Sequence, residues 1–435
     1  MVNITRSQAL QERLRELVPG GGHTYAKGAD QFPESIPGVI ARGEGCHVWD
    51  VDGNEFIEYG MGLRAVTLGH AYAPVVEAVR ESLAWGTNFT RPAAIELECA
   101  ELFLSLIDGA EMVKFTKDGS TALSAALKLA RAYTGKKRAA ICADHPFFSY
   151  DDWFIVTTTM DGGIPVEAYN ETLRFPYNDL AALDTLFAQH AGEIAAVFLE
   201  PSRLNDPAPG YLEKLRALCT QHHVVLVFDE MITGFRWHLQ GAQKLYGVTP
   251  DLSTFGKALA NGFALSALAG KREIMRLGAR GAADENVFLL STTHGAETPS
   301  LAAGMRTMQV YRDEPVIEHL HRQGERLRVG LTQVAQRRGV QGRFEVFGRA
   351  CNLLFGTKDA SGKPSQEFRT LFLQETLRRG ILMPSLVVSY SHRDEDIDRT
   401  IDAIDQALVV YARALSDGVQ GLLEGRPSRT VFDRK

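Results

Sequence analysis

Four short apolar runs, Met112–Thr116, Ala139–Ala143, Ala195–Glu200 and Val224–Asp229, recur through the middle of the chain. Runs of this length without polar alternation are strands buried on both faces. Amphipathic stretches at Ala73–Trp85, Ile95–Ile107, Ser120–Tyr133 and Leu212–His222 precede and separate them. Apolar strands alternating with helices predict an α/β fold, a mainly parallel sheet covered on both faces. The length agrees, since 435 residues exceed one ordinary core and suit two domains sharing an interface.

On either side of this region the pattern differs. Arg6–Leu17 reads as a short amphipathic helix broken by Pro19-Gly20-Gly21-Gly22, and His47–Tyr59 reads as a hairpin about Asp52-Gly53-Asn54. Beyond about Val316, Arg-rich amphipathic helices alternate with candidate strands at Phe344–Phe347, Asn352–Phe355 and Val387–Ser391. The expected division is a large domain over 66–312 and a smaller α+β domain over 313–435, joined by the N-terminal segment 1–65.

Several function classes fall away. The net charge of −6 disfavours general nucleic-acid binding. The longest apolar runs, such as Ile194–Leu199, are too short to cross a bilayer, and the first twenty residues lack a signal-peptide centre, so a cytoplasmic protein is expected. Cys46, Cys99, Cys142, Cys219 and Cys351 are scattered without zinc or disulfide spacing, the histidines lack an HExxH pattern, and no metal is expected. No GxGxxG follows an early strand, which removes a dinucleotide-dependent oxidoreductase.

In a doubly wound sheet the ligand sits at the carboxyl ends of the strands. Three candidates fall there. Lys117-Asp118-Gly119-Ser120-Thr121 joins a strand to a helix, where free N–H groups and the helix dipole suit a phosphate, although a plain N-cap has the same composition. Asp229 ends an apolar strand and needs a partner. A pyridinium nitrogen is one, and a structural salt bridge is another. Lys257 follows a strand-like segment and Gly256; a lysine in a dry pocket forms imines with aldehydes, whereas most lysines are solvated surface charges. Together, with Lys257 lying 28 residues after Asp229, the three say more than any one.

This order resembles the class III aminotransferases, and among them glutamate-1-semialdehyde 2,1-aminomutase. The resemblance runs from Leu17-Val18-Pro19-Gly20-Gly21 and Val48-Trp49-Asp50-Val51-Asp52-Gly53-Asn54 through Leu68-Gly69-His70-Ala71. It continues over Val227–Arg236, Pro250-Asp251 and Gly256-Lys257 to Asp394–Asp398. It implies a fold-type I enzyme that uses pyridoxal 5'-phosphate and works as a homodimer with shared active sites. Lys257 would form the Schiff base and carry protons, Asp229 would pair with the pyridine nitrogen, and Gly119 and Ser120 would hold the phosphate. Thr293 matches a threonine that reaches the neighbouring subunit's phosphate, and Glu200 matches the acid ending the preceding strand. The ring-stacking aromatic is Phe147 or Phe148, because His145-Pro146-Phe147-Phe148-Ser149-Tyr150 replaces the family's Tyr-His-Gly. The matching segment His23, Thr24, Tyr25 and Lys27 would line the substrate entrance.

Two departures set the chain apart from the aminomutase. Gly62-Leu63-Arg64 stands where that enzyme has a tryptophan, and Arg64 suits a substrate carboxylate, phosphate or sugar hydroxyl, or a structural ion pair. Pro384-Ser385-Leu386-Val387-Val388 lacks the acid of the corresponding loop, and Glu297 is a candidate to supply a carboxylate instead. The expected reaction moves an amino group from an amino acid to a keto or aldehyde acceptor, with a sugar-like or small carboxylated carbonyl among the candidates. An intramolecular aminomutase and a non-catalytic protein of the same fold are the alternatives.

Overall fold

Strands β1 (Ile40–Glu44), β2 (His47–Asp50) and β3 (Glu55–Glu58) form an antiparallel meander in the computed structural model, which describes residues 3–145, 147–202, 204–279, 281 and 287–430. The β2–β3 turn is held by Asp50, whose Oδ1 accepts the Asp52 and Asn54 backbone N–H groups at 3.0 and 2.8 Å. Gly53 supplies the left-handed backbone of the turn at φ +91°. The meander belongs to a unit made of residues 3–72 and 318–430; residues 73–317 form the other compact unit.

The larger unit contains β4 (Met112–Thr116), β5 (Arg138–Cys142), β6 (Thr172–Phe175), β7 (Ile194–Leu199), β8 (Val225–Asp229), β9 (Leu252–Phe255) and β10 (Ser266–Gly270). Their order in the sheet is β4-β10-β9-β8-β7-β5-β6, and β10 alone runs antiparallel to its neighbours. The carboxyl ends of β4, β5, β7, β8 and β9 therefore share one edge. The sheet was expected to be mainly parallel; the sequence reading had no place for β6 or the reversed β10.

Every residue of β7 and β8 is buried, and successive side chains serve opposite faces. Phe198, Val225 and Val227 join the core under the Gly119–Thr134 helix, while Val197, Leu199, Leu226 and Phe228 pack against the Leu180–Gln189 and Tyr211–Gln221 helices. Two apolar faces are what make these strands read as unbroken hydrophobic runs. Register with β9 is pinned by Asp251, which accepts the Leu226 N–H at 2.8 Å and pairs with Arg216 and Lys271, each at 2.6 Å. That register sets Asp229 opposite Thr254.

In the other unit, β11 (Phe344–Phe347) pairs antiparallel with β12 (Leu354–Thr357), and β13 (Ile381–Leu382) joins β3 in parallel. The expected strand at Asn352–Phe355 begins two residues later, because Ala350–Asn352 forms a 3-10 turn. Val387–Ser391 is not a strand. Its N–H groups serve irregular backbone instead, Val387 to Tyr59 O at 3.1 Å and Tyr390 to Thr67 O at 2.8 Å. Burial of Val387 and Val388 explains the apolar pattern without a sheet. No helix among the described residues is long and apolar enough to cross a membrane.

Next to Asp229, the fully buried Glu230 accepts the N–H groups of Ala242 and Gln243, both at 2.8 Å, and the Thr233 hydroxyl. It ties the chain after β8 to the start of the Ala242–Tyr246 helix. Burial pushes its carboxyl up to about 7 against those donors. With a folded pKa above the unfolded value, its contribution is complete below about pH 4.5 and lost as pH rises through about 7. Glu230→Ala strands two buried N–H groups and should lower unfolding stability by roughly 2–4 kcal/mol. Glu230→Gln should flatten the fall in stability across that pH window; urea titrations at several pH values measure both.

Candidate active site

Three loops leave the shared strand edge within a few residues of one another in space, and one side chain joins them. A Cβ on Gly119 would lie 2.9 Å from Met231 Sδ, and a Cβ on Gly256 would lie 2.6 Å from the same sulfur. Met231 sits two residues beyond Asp229, so the turn after β4, the end of β8 and the segment after β9 meet around it. The three sequence candidates are thereby brought together.

The Gly119–Thr134 helix is capped by Asp118, which accepts the Thr121 N–H at 2.8 Å. The N–H groups of Gly119 and Ser120 donate to no described residue, as befits a first helical turn. With the positive end of the helix dipole, such N–H groups suit an anion. Ser120 is buried and its Oγ accepts the Tyr150 N–H at 3.2 Å.

Asp229 is 4% exposed. Its Oδ1 accepts the Met231 N–H at 2.9 Å and the Thr254 hydroxyl at 3.4 Å, while Oδ2 accepts from no described residue. Burial raises its carboxyl above the usual range; the Lys257 charge and the two Oδ1 donors oppose the rise. Lys257, half-buried, opens the 3-10 turn Lys257–Ala260 with φ +43°. A left-handed lysine backbone is strained, and the surrounding packing holds it there.

Residues 29–408 match the family model described as aminotransferase class-III. The chain belongs to this family. It is 32% identical to the 3-aminobutyryl-CoA aminotransferase of Cloacimonas acidaminovorans over 95% of this chain and 99% of that protein. It is 33% identical to the glutamate-1-semialdehyde 2,1-aminomutase of Persephonella marina over 92% and 98% of the two chains. Among solved structures it is similar to the Sphingopyxis sp. MTA144 FumI protein in its PLP internal aldimine form, with TM-score 0.87 and 27% identity over 96% of this chain and all (100%) of that one. An omega-transaminase from Sphaerobacter thermophilus follows, with TM-score 0.83 and 28% identity over 95% and 100%.

This class III aminotransferase is therefore a fold-type I enzyme with pyridoxal phosphate as its cofactor. The residues at the strand edge fit that group: free N–H groups at a helix start for the phosphate, a buried carboxylate, and an amine. Phe148 is 1% exposed and packs in the core with Phe154 and Phe198, whereas Phe147 is 38% exposed. Glu200 is buried after β7, and its N–H donates to His145 Nδ1 at 2.8 Å. Thr293 is exposed, its carbonyl accepting from Asn88 Nδ2 at 3.0 Å.

Glu297 pairs with Lys117 at 3.0 Å and accepts the Ser300 hydroxyl at 2.8 Å. Burial favours its neutral form, but the Lys117 and Ser300 contacts prevail and hold its carboxyl below the usual range. Tyr25 and Arg64 belong to the other unit. Tyr25 is exposed in the turn Tyr25–Lys27. Arg64 ends a left-handed run, Met61 to Arg64, with φ of 42°, 58°, 58° and 74°, and its Nε donates to Asn352 Oδ1 at 2.8 Å. Such a backbone costs roughly 1–2 kcal/mol per non-glycine residue. A cavity of about 660 Å³ in this unit is lined by Lys27, Gly62, Leu63, Glu58 and His70 among others.

Sequence reading gave no role to Met231, Thr254, Lys117 or His145, although Lys117, His145 and Met231 lie within the quoted motifs; the contacts of each are defined by what lies across the strand edge. Gly256→Ala would drive a methyl group into Met231 and into Ser266 Oγ, also 2.6 Å away. It should cost about 1–3 kcal/mol of stability and loosen the cofactor. Gly119→Ala meets only the flexible methionine and should cost less. Denaturation midpoints and cofactor retention after dialysis compare the two.

Proposed function

We propose that this enzyme moves an amino group from an amino-acid donor to a keto or aldehyde acceptor, with Lys257 holding the cofactor as a Schiff base. The observation that carries this reading is the convergence of Gly119 and Gly256 on Met231, two residues after Asp229, with the Lys257 charge acting on that carboxylate. Pyridoxal phosphate, when bound, supplies an aldehyde carbon that takes up the amine and a ring that withdraws electrons from the carbon beside it.

Each side chain then has a defined task. Gly119 and Ser120 hold the phosphate through backbone N–H groups, and Phe147, the more exposed ring, stacks on the cofactor. Asp229 Oδ2 accepts the ring N–H, and the positive charge so retained keeps the carboxylate ionised despite its burial. Lys257 would hold the cofactor through its amine and, when free, would move a proton between the substrate carbon and the adjoining carbon of the cofactor. Thr293 reaches the phosphate of a second copy, which makes the working unit a homodimer. Glu297 holds Lys117 beside the phosphate turn. Arg64, oriented by Asn352, receives the acidic or hydroxylated end of the acceptor, with Tyr25 and Lys27 at the entrance. The absence of an acid in Pro384–Val388 supports transfer between two molecules over isomerisation within one.

The test is the visible spectrum of the holoenzyme before and after L-glutamate and a panel of other amines. The imine band should vanish with release of one keto product per site. Return of an isomer, with no keto product, would establish an aminomutase. Lys257→Ala should lose the imine band and slow turnover by roughly 10²–10⁴-fold or more. Arg64→Met should raise KM for carboxylated acceptors about tenfold, the loss of one charge-assisted contact, while leaving the donor half-reaction unchanged. Equal effects on both half-reactions would make Arg64 a structural residue.

A further inference from the structure

His47 opens β2 with Cys46 just before it, and Asp396 lies in the first turn of the Asp394–Asp417 helix, 349 residues beyond His47. Cys46 Sγ, a ring nitrogen of His47 and a carboxylate oxygen of Asp396 all lie within 4.8 Å of one another. We propose that these three side chains form a divalent metal site of thiolate–imidazole–carboxylate type, taking zinc, that clips the N-terminal hairpin to the C-terminal helix.

The donor set selects the metal. A thiolate with an imidazole suits zinc and disfavours magnesium or calcium. Tetrahedral zinc with bonds of about 2.0–2.3 Å places its ligand atoms roughly 3.3–3.8 Å apart. His47 Nε2 and Asp396 Oδ1 already stand at 3.1 Å, so a shift of about 1 Å or less completes the set. Cys46 is 2% exposed, while the His47 and Asp396 side chains are 25% and 17% exposed. The remaining coordination position therefore faces water.

An outer ligand is in place as well. His47 Nδ1 meets Glu55 Oε1 at 2.7 Å. A carboxylate on Nδ1–H fixes the tautomer whose Nε2 lone pair points at a metal, and this arrangement accompanies metal-bound histidines. Asp396 is oriented by the Arg393 N–H at 3.0 Å, the capping contact of its helix. Thiolate and carboxylate together cancel the charge of a dication.

The cation would close a very long chain loop, where a crosslink opposes most unfolded-state freedom.

The test uses the holoenzyme, stripped with a chelator, re-equilibrated with zinc against a colorimetric competitor, and analysed for metal. Wild type should hold about one equivalent per chain, and Cys46→Ser and His47→Gln none at the same free zinc. Glu55→Gln should bind about 10–100-fold more weakly. Chelation should lower the thermal midpoint of wild type and leave that of Cys46→Ser unmoved. A retained cofactor band in each variant shows that it is folded, and metal content reads independently of which reaction the enzyme performs. Wild type holding no zinc above the buffer blank, or Cys46→Ser holding as much as wild type, overturns the site.

Discussion

A carboxylate at the inner end of β8 gives up most of its hydration, and the surrounding structure is arranged to hold the charge that results. Asp229 has two protein donors on one oxygen and an ammonium group nearby, yet its carboxyl still rises above the usual range. A buried carboxylate of this kind suits a ring N–H donor, the partner proposed for it above. Neighbouring Glu230 solves the same burial differently: its donors are all protein groups, and it serves the backbone after β8.

Placing those groups depends on sheet geometry more than on the loops themselves. Asp251 sets the β8–β9 register, the register sets Thr254 beside Asp229, and Lys257 follows within one turn. Met231 fills the space left by Gly119 and Gly256, so the phosphate turn and the lysine segment approach the same sulfur. Side chains larger than hydrogen at either glycine would part them. The left-handed backbone at Lys257 is the strain that this close approach imposes.

The second unit carries a different kind of constraint. Its meander and its last long helix are separated by most of the chain, and polar contacts at His47 and Asp396 join them. Arg64 sits on four consecutive left-handed residues, an arrangement that apolar burial of Met61 helps to hold. Backbone strain of this sort concentrates where a side chain must point in one direction.

The strand runs, their helices and the Asp52-Gly53-Asn54 turn were legible in the sequence because local propensity and two-sided burial write themselves into consecutive residues. The order of Gly119, Asp229 and Lys257 along the chain carries the resemblance to one family, and the fold brings their segments to one strand edge. The reversed β10, the irregular path of Val387–Ser391 and the different burial of Phe147 and Phe148 were not legible. Each depends on which distant backbone offers a hydrogen bond or which face of the sheet is already filled. Met231 between two glycines, Glu297 on Lys117 and His47 against Asp396 are contacts across long sequence separations, and no local pattern encodes them. Only the folded chain, by closing those separations at the cost of backbone freedom, decides which side chains meet.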